Sequence, residues 1–228
     1  DWQYLIERPD YRIASVMMLA GIICSVTLHE IAHAYMAHWM GDPTPEEHGR
    51  LTLNPSPHFK SALFMMLILP FVSWFQSGGW WAMAGGFCPV NPQRMRNERL
   101  GDCLTSLAGP GVMLIISFLC AVPLMIPAVG ALGPDAMSPA AFGLLLVGQA
   151  NLFLAVFNLL PIPPLDGAYA VAALVPGLSD LVRKAGGTVG MILVVVIGWR
   201  IMDELAIPLF DLYIAFIESG ALIFVCFD

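Results

Sequence analysis

Residues 13–39, IASVMMLAGIICSVTLHEIAHAYMAHW, form an apolar run in which His29, Glu30, His33 and His38 are the only ionisable groups apart from Cys24 and Tyr35, and no proline interrupts it. As one helix the run is about 40 Å long, enough to cross the ~30 Å hydrocarbon core of a bilayer. The rest of the chain shares this character. Of its 228 residues 58% are hydrophobic and 12% charged, against about 25% charged in soluble domains, and the mean hydropathy is +0.75. The composition places the chain in the membrane class, in contact with the lipid bilayer, and the apolar runs read as an all-α polytopic membrane protein. It reads as a single membrane-embedded domain over 1–228, with a core at about 13–176 and C-terminal helices at about 187–226.

Downstream of the run, Gly41-Asp42-Pro43 ends the first helix. A polar stretch with Glu46, Glu47, His48, Arg50 and Lys60 follows at solvent or interface, and Leu51-Thr52-Leu53 reads as a short strand. Residues 61–75 are apolar but short and contain Pro70, with Gly78-Gly79, Trp80, Trp81 and Gly85-Gly86 directly after. One helix, a re-entrant hairpin or strands all fit there. A basic segment from Asn91 to Arg99 precedes an apolar run at 103–127, where Ala108-Gly109-Pro110-Gly111 permits close helix packing. The next span, 139–159, stops at Pro161-Ile162-Pro163-Pro164-Leu165-Asp166-Gly167, because three prolines cannot continue a regular helix. A short apolar piece at 168–176, a polar loop from Ser179 to Lys184, and spans near 187–202 and 205–226 complete the chain. The total is about five to six transmembrane helices with a re-entrant or β-like segment near 61–90. The first apolar stretch lacks a signal-peptide cleavage pattern and is expected to stay in the mature fold.

The net charge of −7 arises from 17 acids and 10 bases. No stretch strings basic residues into a nucleic-acid footprint, which argues against a nucleic-acid partner. Cys24, Cys88, Cys103, Cys120 and Cys226 are widely spaced in mostly apolar surroundings and read as packing residues.

His29-Glu30-Ile31-Ala32-His33 sets two imidazoles four residues apart, on one helix face and about 6 Å apart at the backbone, which suits joint zinc ligation. Glu30 lies beside such a metal, where a carboxylate can take a proton from water whose pKa the ion has lowered toward ~7. Ionisable groups deep in a span cost about 2.5 kcal/mol or more each on insertion scales, so three within five residues call for a partner, and zinc supplies one. A catalytic zinc takes a third protein ligand and leaves one position open. His38 lies about 140° around the helix from His33 and faces elsewhere. His48 and His58 sit in the polar loop and read as surface or structural. Asp166 ends a proline-broken apolar segment, and broken backbone at membrane depth is tolerated where it lines a wet cavity. The alternative is a simple turn with Asp166 as its polar residue.

His33 and Asp166 each lie toward the C-terminal end of a helix, so they meet only if those helices run parallel. That requires the 61–75 segment to be re-entrant, with 103–127 as the single return span. One side then carries Arg50, Lys60, Arg94, Arg96, Arg99, Arg183 and Lys184, and the other Arg8, Arg12 and Arg200. The positive-inside rule makes the first side cytoplasmic; a fully crossing 61–75 segment would divide the ten bases seven to three as well, so the zinc geometry and not the charge selects the re-entrant form.

Taken together, His29-Glu30-Ile31-Ala32-His33 and Asn158-Leu159-Leu160-Pro161-Ile162-Pro163-Pro164-Leu165-Asp166-Gly167 resemble the site-2 protease family of intramembrane zinc metalloproteases. Gly41-Asp42-Pro43-Thr44, Gly49 to Pro55 with His58, Pro89-Val90-Asn91-Pro92 and Ala108-Gly109-Pro110 extend the resemblance over roughly residues 20–176. It implies His29, His33 and Asp166 as ligands of one Zn2+, Glu30 as general base, and Asn158 as a polar catalytic group near the scissile carbonyl or its oxyanion. It also implies regulated intramembrane proteolysis of transmembrane protein substrates, with any adaptor supplied by another membrane protein. Ala168, Met113 and Phe59-Lys60 depart from the family pattern, and none touches a metal ligand. Nothing in the chain has the length for an appended PDZ or CBS domain, which fits a compact form in a prokaryotic cell membrane. The main alternative is a multi-pass transporter or channel with an intramembrane ionisable site, which leaves the His29/Glu30/His33 spacing unexplained.

Overall fold

A computed structural model describes residues 11–79, 81–126, 137–175, 177–186 and 188–225. Arg8, Trp80 and Cys226 lie outside them. The described residues are helical with no strand: α1 (Tyr11–Met40), α2 (Thr44–Glu47), α3 (Ser56–Gln76), α4 (Glu98–Leu124), α5 (Pro139–Asn158), α6 (Asp166–Leu174), α7 (Leu178–Ala185) and α8 (Thr188–Val225). Among these residues four helices, α1, α3, α4 and α5, are long and apolar enough to cross a membrane.

The bundle is built on α1, α4 and α5, which pack against one another. Small residues set the register. A Cβ on Gly21 would strike Val147, and one on Gly143 would strike Met17. Two contacts with the same offset show α1 and α5 running side by side in the same direction, as the metal hypothesis requires. Helix α4 runs opposite to α1, because its start packs on Met40 through Gly101 while Gly109 reaches His29. A Schellman turn ends α1: Gly41 (φ +105°) donates to His38 and Asp42 donates to Ala37, so the last carbonyls are satisfied where a side-chained residue would be strained. Asn97 and Ser138 cap the starts of α4 and α5 by accepting from Leu100 and Ala141.

The segment near 61–90 returns to the side it entered, but it reaches the full depth of α1 first. Helix α3 starts beside the connection that follows α1, where Arg50 donates to Ser61. It ends beside the N-terminal end, where Trp74 donates to the Ser15 carbonyl and Tyr11 to that of Gly78. The chain then comes back in extended form without forming a strand, held by Met83 to Ser73 and by Gly85 to Met65. Asn91 reaches Asp42 and Arg96 reaches Met40, back at the level of departure. Within α3 a π turn at Phe64–Ile68 precedes Pro70.

Three local expectations change. Leu51-Thr52-Leu53 is not a strand, since side-chain turns dominate: Asn54 donates to the Thr52 hydroxyl and Ser56 to the Asn54 carboxamide. The Ser179 to Lys184 stretch is helical, within α7. The two C-terminal spans form one 38-residue helix, α8, with Pro208 inside it.

Candidate metal centre

The first two ligand candidates come from one helix face and the third from a chain break. His29 and His33 lie one turn apart on α1 and are buried, at 5% and 6% exposure. Asp166 opens α6 after the proline-rich turn that ends α5, and parallel packing of α1 and α5 delivers it to the same level. The atoms converge: His29 Nε2 to His33 Nε2 is 2.9 Å, His29 Nε2 to Asp166 Oδ2 is 3.1 Å, and His33 Nε2 to Asp166 Oδ2 is 3.4 Å. Ligands at about 2.0–2.1 Å from a tetrahedral zinc stand roughly 3.3 Å apart, so this triangle has the right size.

The surroundings agree. His33 Nδ1 donates to the Thr105 carbonyl of α4 at 2.6 Å, which leaves the Nε2 lone pair for a cation. Asp166 Oδ2 and His29 Nδ1 are buried with no hydrogen bond of their own. Two imidazoles and a carboxylate facing one another at such distances are mutually unfavourable unless a cation or proton lies among them. A Cβ on Gly109 would sit 2.5 Å from His33 Nε2 and 2.6 Å from His29 Nε2, so α4 presents bare backbone where the ligands need room. The cluster can hold a metal ion, and its N2O donor set suits zinc.

Glu30 is 3% exposed, and its Oε2 has no hydrogen-bond partner. The returning segment lies on it, since a Cβ on Gly86 would overlap its carboxyl group. Asn158 stands at the end of α5, and its amide donates to the Leu154 carbonyl of its own helix at 2.8 Å. His38 stays out of the site, half-exposed and 3.4 Å from Glu46, and His48 is exposed and bonded to the Thr44 carbonyl. His58, by contrast, is fully buried. Outside the spanning helices, the Cys88 thiol is pushed up by burial, with Glu30 adding to the shift and Arg50 opposing it.

Sequence reasoning did not find Thr105, whose role is a backbone carbonyl. Gly109 had a signal, the small-residue stretch, but not the ligand pair it faces.

A buried His2Asp cluster with a neighbouring glutamate, set in a bundle of apolar helices, is a candidate metal centre of the kind that zinc metalloproteases use. Comparison with known proteins agrees. The chain is 37% identical over 163 residues to "Putative zinc metalloprotease YwhC" of Bacillus subtilis, covering 70% of this chain and 69% of that protein. It is 32% identical over 170 residues to "Putative zinc metalloprotease Rip2" of Mycobacterium tuberculosis, covering 75% of this chain and 60% of that one. The match thus spans under two thirds of the Rip2 length. No family model matches, and no solved structure matches at a significant level. The chain belongs to the site-2 protease family of zinc metalloproteases, and the transporter alternative finds no support.

Proposed function

We propose that this chain is a zinc endopeptidase of the site-2 type, hydrolysing peptide bonds of transmembrane protein substrates in a bacterial cell membrane with its basic end facing the cytoplasm. The observation that carries the reading is the convergence of His29, His33 and Asp166 within 3.4 Å of one another, beside the unpartnered Glu30.

His29, His33 and Asp166 would hold the ion, which when bound would supply Lewis acidity for a substrate carbonyl and for water. Glu30 Oε2 takes a proton from the attacking water and delivers it to the leaving nitrogen as the C–N bond breaks. The apolar bundle keeps bulk water from this exchange. Asn158 turns an amide N–H from Leu154 toward the oxygen on which negative charge develops. Membrane substrates arrive as helices whose carbonyls are bonded, so cleavage needs local unwinding, and Gly, Pro or Asn near the cut favours it. The extended chain at 82–91 is suited to hold the unwound substrate by strand pairing. Met83 and Gly85 donate to α3, whereas the alternate amides of Ala84 and Gly86 have no hydrogen-bond partner among the described residues.

The test is cleavage of a single-span reporter with a Gly-Pro pair in its membrane segment, co-reconstituted in liposomes with native or Glu30→Gln protein. Cleavage by the native form alone is expected, and equal cleavage by both removes the proposal. Replacing Gly-Pro by Leu-Leu is expected to slow the reaction, and photo-crosslinks from the substrate should reach residues 82–88.

A further inference from the structure

The third ligand candidate is aimed differently from the other two. His29 and His33 ride on a long helix packed in the bundle, and His33 is oriented by the Thr105 carbonyl. Asp166 rides on α6, a helix of nine residues, and its Oδ2 has no hydrogen-bond partner of its own. Its aim is therefore set by where α6 sits. The first turn of α6 is fixed at the proline-rich break, because a Cβ on Gly167 would strike the carbonyls of Leu159 and Leu160. Beyond that turn α6 lies against α4, and the residues it buries are Gly167, Ala168, Ala170, Ala172 and Ala173. Such small side chains permit close approach but form shallow ridges that key the register weakly. Ala168 and Ala172 belong, with Val182 of α7, to a small apolar cluster apart from the main core.

A polar clamp lies over this joint. Arg183 of α7 donates to Asp102 Oδ2 of α4 at 2.8 Å, and Asp102 is 7% exposed. The same guanidinium stands over the ring of Tyr169 in α6, 5.6 Å from its centroid. The end of α7 lies on this ring too, since a Cβ on Gly186 would sit 2.5 Å from the Tyr169 hydroxyl oxygen. Ser179 ties α7 to α6 by donating to the Ala172 carbonyl at 3.2 Å. One side chain thus touches α4 and α6 at once, a task suited to a planar guanidinium that bonds a carboxylate and covers an aromatic ring.

The clamp grips both helices beside the metal centre. Asp102 is one turn from Thr105, whose carbonyl accepts from His33, and Gly109, a turn further along α4, faces both imidazoles. Tyr169 is one turn from Asp166 on α6. The contact therefore joins the turn of α4 that orients His33 to the turn of α6 that carries the third ligand candidate. We propose that Asp102 and Arg183, acting through Tyr169, are positioning residues that hold Asp166 at the distance from His29 and His33 that a metal ion needs. The Arg183 side chain is 40% exposed, so the pair adds little to overall stability, and its effect falls on metal affinity. The assignment rests on the reading of His29, His33 and Asp166 as metal ligands.

The experiment is chelator competition for zinc, with cobalt(II) substitution to read ligand geometry, on the whole chain in detergent carrying Arg183→Met, Asp102→Asn or both. Each single variant is expected to bind zinc about tenfold more weakly, and the double no more than about twofold below the weaker single. The visible cobalt spectrum should move toward that of Asp166→Ala. Native affinity with a native cobalt spectrum in Arg183→Met overturns the proposal even if the melting temperature falls, because a strut for stability alone changes only the latter. Losses that multiply in the double variant, or an equal loss in Lys184→Met on the same helix, overturn it as well. Should Arg183→Met fail to fold, Tyr169→Leu, which removes the ring and leaves the ion pair, carries the test. Zinc binding weakened about threefold or more then supports the clamp, and a smaller change overturns it. Native protein that takes up neither zinc nor cobalt is a different result, which overturns the metal reading and the proposal with it.

Discussion

The bundle of α1, α4 and α5 and the hairpin of α3 with its returning segment face the same metal centre but are built differently. In the most apolar stretch of α5, 67% of residues are buried, against 28% for α3, which leaves Phe64, Phe71 and Phe75 exposed. The bundle is regular, close-packed through glycines, and supplies two of the three candidate ligands and the carbonyl that orients His33. The hairpin contains a π turn, a proline and an extended run that forms no strand, and it supplies backbone that lies on Glu30. A centre that must hold an ion in fixed geometry while admitting a peptide needs one rigid wall and one yielding wall. In the proposed protease the two regions divide that work.

The comparison can be broken first at the chemistry. Glu30→Gln is expected to lower peptide cleavage by roughly 10²–10⁴-fold while zinc content stays at the native level, because the role proposed for the residue is on protons and not on the ion. Zinc loss in this variant would merge the two walls into one. On the rigid wall, Gly109→Ala pushes a methyl group onto both imidazoles and should weaken zinc binding by about 10–100-fold in a chelator competition. Gly111→Ala, with nothing within 4 Å, should leave it unchanged. On the yielding wall, Gly86→Ala meets the Glu30 carboxyl group but can be absorbed by a shift of the extended chain. It should lower cleavage about tenfold with zinc affinity intact.

Smaller effects sharpen the same contrast. Phe142→Ala, at 1% exposure in the bundle, should cost about 2–3 kcal/mol in detergent unfolding, mostly from the cavity. Phe71→Ala, at 56% exposure on α3, should cost little. The surface pair of Glu47 and Arg94, bonded at 2.7 and 2.8 Å, should matter least. The hydrogen bond to Arg94 holds the Glu47 carboxyl below its ordinary value. Its small contribution is therefore present above the usual carboxylate pKa of about 4.3 and fades as pH falls through the lowered value. Glu47→Gln should flatten the acid limb of a melting curve only slightly.

What was legible in the sequence follows how local each signal is. His29 and His33 share a helix turn, so their spacing alone places both imidazoles on one face. Asp166 is far along the chain, but its proline-rich setting marked it, and the need for it to meet His33 fixed α1 and α5 as parallel. The same requirement made the 61–90 segment return to its own side. Its full depth was not legible, because the length of 61–75 omits the first turn and a half of α3, hidden among polar residues. Thr105 acts through a carbonyl, which every residue has. Arg50 and His58 sit in a stretch whose polarity reads as solvent-facing, and only the tertiary path past Gly49 buries them. The Leu51-Thr52-Leu53 strand failed because Thr52 and Asn54 side chains capture the backbone first.

The central claim is that His29, His33 and Asp166 hold one zinc. Its most direct test is elemental analysis of purified native, Glu30→Gln, His33→Ala and Asp166→Ala protein. The account predicts one zinc per chain in the first two and its loss in the others. Native protein without zinc, or Asp166→Ala protein that keeps it at native affinity, would contradict the account.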